Sequence, residues 1–62
     1  MKIKHKNSQE ETTEFPSYQK IDGRYGYLSL TFDNKVLFFC IDHNCFPELF
    51  CEDVTENYDI IL

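Results

Sequence analysis

The sequence predicts a small α+β domain: a central antiparallel β-hairpin, widened to three or four strands, with one short helix beside it. Three observations carry that expectation. Two β-rich runs, residues 25–32 and 35–42, flank a two-residue polar break at Asp33-Asn34. The later stretch from Phe46 to Val54 places Phe46, Leu49, Phe50 and Val54 at roughly helical spacing, with Pro47 suited to a first helical turn. Finally, 62 residues allow one domain, spanning the whole chain, with a core of marginal size. Six phenylalanines and four tyrosines offset the small core, since each ring buries a large area at little rotamer cost.

Taken in order, Lys2, Ile3, Lys4, His5 and Lys6 alternate around a single apolar side chain, which predicts a short edge strand or a frayed terminus. Residues 1–14 thus read as that strand followed by a flexible polar loop. Ser8 to Glu11 has capping-box spacing, but no apolar periodicity follows, so one helical turn is the most it supports. Phe15-Pro16 ends any helix, because the residue before proline is pushed towards extended backbone. Gly23 and Gly26 flank Arg24-Tyr25 and mark a turn into the first hairpin strand. In that strand Leu28, Leu30 and Phe32 share one face and Tyr27, Ser29 and Thr31 the other. In the second, Val36, Phe38 and Cys40 oppose Leu37, Phe39 and Ile41. A strand apolar on both faces is either covered twice or keeps one face for a partner. Asp33 and Asn34 are the non-glycine residues that best tolerate positive φ. In the expected helix Glu48, Glu52 and Asp53 are exposed. Asn57 then turns the chain into a final strand or apolar tail, Tyr58 to Leu62.

Charge supplies the functional expectation. The net charge is −5, and the distribution is uneven. Lys2, Lys4, Lys6, Lys20 and Arg24 precede residue 25, and Lys35 is the last base. Asp42, Glu48, Glu52, Asp53, Glu56 and Asp59 follow it, interleaved with Phe46, Phe50 and Tyr58. Carboxylates beside aromatic anchors suit docking on a basic protein, so these nine residues are the candidate partner-binding set. The expected function is a non-enzymatic inhibitor or modulator of phage or mobile-element character. It would occlude a nucleic-acid-processing or host-defence protein by imitating the charge of a nucleic acid. A structural or zinc-stabilised subunit of a larger complex is the alternative, and an antitoxin or immunity-type protein a third. The acids could equally form a merely solubilising face. The balance opposes direct nucleic-acid binding and anionic membranes. No stretch is apolar for the ~18 residues a span needs, and the basic start lacks an apolar h-region. The expected compartment is the cytoplasm, the host's if the protein is viral.

Cys40, His43, Cys45 and Cys51 are all zinc-ligand types, but Cys-x2-His-x-Cys-x5-Cys lacks the paired knuckles of a zinc finger. The spacing favours core cysteines with an exposed histidine, and no cofactor. Zinc and a Cys45–Cys51 disulfide are the alternatives. A thiol nucleophile paired with His43 or His5 would need an orienting carboxylate and a cleft that so short a chain has little volume to build.

Overall fold

The computed structural model describes residues 1–41 and 51–62. It corrects the expected α+β class. The described chain forms seven strands in two antiparallel sheets, and its only helical segment is a 3-10 turn, Thr55–Asn57. The first sheet has the order β2-β1-β7, from Glu11–Thr12, Lys2–His5 and Tyr58–Ile61. The second has the order β3-β4-β5-β6, from Ser17–Ile21, Arg24–Leu30, Val36–Cys40 and Cys51–Asp53.

Both sheets contribute to one core. Ile3 of β1 and Tyr58 of β7 meet Leu28 of β4, the buried Val36, Phe38 and Cys40 of β5, and Val54. Phe15, Ile21, Leu30 and Ile60 pack around them. Burial of each such side chain contributes roughly 1.5–3 kcal/mol against the entropy of ordering the chain.

The β4–β5 hairpin is where it was expected, with Leu30 opposite Val36 and Gly26 opposite Cys40. Its connection differs. Asn34 N–H donates to Thr31 O at 3.2 Å and Thr31 N–H to Lys35 O at 2.9 Å, so the loop is Phe32-Asp33-Asn34. Of these three, Asn34 alone has positive φ, 62°. This is a tight turn followed by a left-handed residue, the common three-residue hairpin solution. Phe32 is thereby lifted off the strand into solvent, away from the Leu28–Leu30 face on which it was placed.

A second hairpin was not foreseen. Ile21 pairs with Arg24 around Asp22-Gly23, whose φ values are 51° and 77°, the two-residue turn with both centres left-handed. Gly26 fills a different need. It is a core-facing position of β4, and a Cβ there would overlap the Phe39 carbonyl oxygen and lie 2.8 Å from Phe38 Cζ. Only glycine lets the Phe38 ring lie against the neighbouring strand.

Two further expectations change. The helix over Phe46–Val54 ends, where it can be seen, as strand β6: Leu37 pairs with Asp53, Phe38 with Glu52 and Phe39 with Cys51. The free edge of β5 recruits this segment, and cross-strand pairing overrides a weak local helical pattern. The residues before Cys51 in that expected helix lie outside the described residues. Strand β1 is central in its sheet, not at an edge, because β7 returns to pair along Lys2–His5 while β2 covers the other side.

Candidate partner-binding face

Strand alternation sends one set of side chains of the second sheet into the core and the other set outward. On the outward side Tyr18 of β3, Tyr27 of β4, Phe39 of β5 and Cys51 of β6 lie in one row across four strands, fixed by cross-strand register. Tyr25 stands in the next row, opposite Lys20, and Ile41 N–H donates to the Tyr25 carbonyl at 2.9 Å. Tyr18 is 56% exposed, Tyr25 43%, Tyr27 39% and Phe39 37%. Sequence alone made β5 two-faced, and this is its second face.

The rings are ordered against one another. Tyr18 stacks on Tyr25 with centroids 6.0 Å apart and meets Tyr27 edge-on at 5.5 Å. Lys20 Nζ sits 5.3 Å from the Tyr25 centroid, a cation–π arrangement. Such pairs hold the rings in place, so little side-chain entropy remains to be lost on docking. The face therefore offers aromatic area, three phenol hydroxyls, one ammonium and, at its β6 edge, Asp53.

Of the nine candidates from the sequence, the five that the structure describes, Glu52, Asp53, Glu56, Tyr58 and Asp59, do not share one surface. Asp42, Phe46, Glu48 and Phe50 lie outside the described residues. Tyr58 is a core residue, 8% exposed, and so is no surface anchor. Glu52 turns inward, and its Oε2 accepts a hydrogen bond of 2.8 Å from Arg24 Nη2. The Arg24 guanidinium also lies 5.5 Å from the Phe38 ring centroid, with Nη1 buried and unpartnered. Glu52 thus closes the β6 edge over the core. Asp53 faces outward, but its Oδ1 accepts from the Thr55 amide at 2.9 Å and the Thr55 hydroxyl at 2.5 Å. Those bonds hold its carboxyl below the ordinary aspartate pKa. Glu56 is exposed on the 3-10 turn, and Asp59 is exposed on β7 of the other sheet.

Among the described residues, folding brings part of the linear charge asymmetry into pairs. Strand pairing sets Lys4 opposite Asp59, and ion pairs join Arg24 to Glu52, Lys2 to Glu11 and Lys35 to Asp33. Of these, the Arg24–Glu52 pair and the Lys4–Asp59 register bring an N-terminal base to a C-terminal acid.

The cysteines also part company. Cys40 is fully buried and disulfide-bonded, so the reading of it as a plain core thiol is corrected. Cys51 is an exposed free thiol, which rules out the Cys45–Cys51 disulfide and removes Cys51 from the core cysteines. His43 and Cys45 lie outside the described residues. Among the described residues no three His, Cys, Asp or Glu side chains are grouped to hold a metal ion.

Tyr18 and Lys20 escaped the sequence reading because β3 did, and Tyr25, inside the expected run 25–32, was given no face. The signal was present in Asp22-Gly23, a strong short-range hairpin marker once both flanks are read as strands. No helix among the described residues is long and apolar enough to cross a membrane. No protein-family model matches the chain, and no curated protein or solved structure matches it either.

Proposed function

We propose that this chain is a non-catalytic binding protein whose Tyr18–Tyr25–Tyr27–Phe39 face docks on a protein with a basic surface and blocks it by coverage. One observation carries the reading: four exposed aromatic side chains, three of them in ring contact, are contiguous on one sheet face. A contiguous apolar surface of this kind marks an interaction site, and tyrosines are the usual anchors.

Aromatic sheet faces also stack bases in single-stranded nucleic acid, but that mode needs a basic groove along the backbone. Here the net charge is −5, and among the described residues the face offers Lys20 as its cation. A protein partner with complementary positive charge fits better. The acids steer its approach, and the rings set how slowly it leaves. Inhibition by occlusion suits this geometry, because a flat face covers a surface.

Affinity capture from a lysate of the source organism tests the proposal, with wild type compared with Tyr18→Ser/Tyr27→Ser. Both positions are exposed, so the fold should persist, as circular dichroism would verify. The expected result is a basic partner captured by wild type and lost by the double variant. Equal capture by both proteins would refute this assignment of the face. Concentration-dependent dimers abolished by the same substitutions would assign it to a second copy of the chain instead.

A further inference from the structure

Between the two sheets, on the inner side of edge strand β3, lies a cleft of about 230 Å³. It is too small for the ~300–1,000 Å³ occupied by drug-sized ligands, and its size suits one side chain. His5 and Tyr58 form its aromatic wall, with ring centroids 5.0 Å apart in an edge-on arrangement. Glu10 and Asp22 enter from the loop after β1 and from the β3–β4 turn. Lys20 also borders the cleft, but its ammonium is held over Tyr25 on the outer face.

Three features define what the cleft can bind. First, the Glu10 and Asp22 carboxylates have no ion-pair partner among the described residues, although each other carboxylate lining a sheet edge nearby, Glu11 and Glu52, has one. Second, Tyr58 is more than nine-tenths buried, yet its hydroxyl has no hydrogen-bond partner among the described residues. Tyr58 lines the cleft, and burial, then the charges of Asp22 and Glu10, raise its pKa. Among the described residues only Arg24 Nη1 is a buried polar side-chain atom without a partner, so the Tyr58 hydroxyl keeps access to the cleft and can bond what enters it. Third, His5 Nδ1 is committed as an acceptor from the Asn7 and Ser8 amides, at 3.1 and 3.2 Å, which fixes the ring as part of the wall.

We infer that the cleft is a guanidinium subsite, which takes an arginine side chain of the basic partner between the Glu10 and Asp22 carboxylates and the Tyr58 hydroxyl. A planar fork of five N–H donors matches several acceptors converging from different strands, and it can lie against a ring. Because β3 is an edge strand, a partner gripping that edge reaches the outer aromatic face and this cleft together. The inference rests on the docking proposal only for the source of the arginine.

Titration followed by amide NMR tests it, with N-acetylarginine methylamide as the probe, N-acetylcitrulline methylamide as its neutral counterpart, and methylguanidinium as the free cation. The arginine probe should give saturable shifts at His5, Glu10, Asp22 and Tyr58, and Glu10→Gln/Asp22→Asn should weaken binding at least tenfold. Asparagine tolerates the left-handed backbone of position 22, so that variant keeps the turn. Absent or non-saturable shifts, equal binding of the citrulline probe, or unchanged affinity in the double variant would overturn the subsite. Binding of methylguanidinium without the arginine probe would overturn the side-chain assignment. Partner capture that depends on Tyr18 and Tyr27 would survive any of these failures, so the two proposals fail separately.

Discussion

Glu52 and Glu56 both belong to the acidic tail, and the structure separates them. Glu52 accepts from Arg24, whose side chain is 19% exposed, while its own is 38% exposed. With charge centres about 4 Å apart, the gross attraction at an effective dielectric of 20 is about 4 kcal/mol. Desolvation of the arginine and the partial exposure of Glu52 offset most of it, leaving about 1–2 kcal/mol. Glu52→Lys forfeits that and adds a like charge facing a guanidinium already short of partners, for a total loss of about 2–3 kcal/mol. Domain stability at this length is about 3–9 kcal/mol, so the variant stands near the edge of folding. Glu56→Lys, on an exposed turn, should stay within about 0.5 kcal/mol of wild type. Urea unfolding followed by circular dichroism measures both, and with a slope near 1 kcal/mol per molar the midpoints should separate by about 2 M. Coincident midpoints would show that the Arg24 contact contributes nothing. The experiment also bears on function, because lost binding in a Glu52 reversal reports lost structure before it reports a lost contact.

Three more perturbations follow from the same geometry. Gly26→Ala forces a methyl into the Phe39 backbone and the Phe38 ring, and should cost about 1–3 kcal/mol or prevent folding, read as a lowered thermal midpoint. Thr55→Val removes the hydroxyl that accepts from Val36 N–H at 2.9 Å and donates to Asp53, and should cost about 1–3 kcal/mol by urea titration. Burial and then the charges of Asp22 and Glu10 raise the Tyr58 pKa, so the native state holds that proton more tightly than the unfolded chain. Stability from this source is therefore intact below the unfolded tyrosine pKa of about 10 and falls as pH rises beyond it. Tyr58→Phe should flatten the alkaline limb of a stability–pH profile, and an unchanged limb would refute the assignment.

The β4–β5 hairpin was legible because its information is local: a period of two on both strands and a turn between them. Strands β1 and β7 could each be suspected from their own residues, but their pairing joins opposite ends of the chain and leaves no local mark. The helix expected before Val54 rested on four apolar positions, a number that a short strand and a short helix share. Strand β3 was hidden for another reason. It turns Tyr18 outward and Ser17 and Gln19 inward, which at those three positions inverts the usual pattern of apolar inside and polar outside. An interaction face is built from that inversion, so the same feature that concealed the strand created the site. Among the described acidic candidates, neighbours along the chain part in space: Glu52 turns inward to Arg24 and Asp59 lies on the other sheet.

The pairing of β1 with β7 carries a consequence for how the molecule is made. Lys2 lies opposite Ile61 and His5 opposite Tyr58, so nearly the whole chain must be closed into a loop before this ladder can form. Closing a loop of that length costs on the order of 3–4 kcal/mol in chain entropy, and no contact returns it until both strands are in place. The hairpins β3–β4 and β4–β5 close short loops and face no such delay. On a ribosome, Ile3 emerges well before the strand beginning at Tyr58 that completes its sheet. Until then the inner surface of β4 and β5, with Leu28 and Phe38 on it, stands open. Strand β7 acts as the clasp of the fold, and removing Tyr58–Ile61 should leave a chain that has its turns but cannot close.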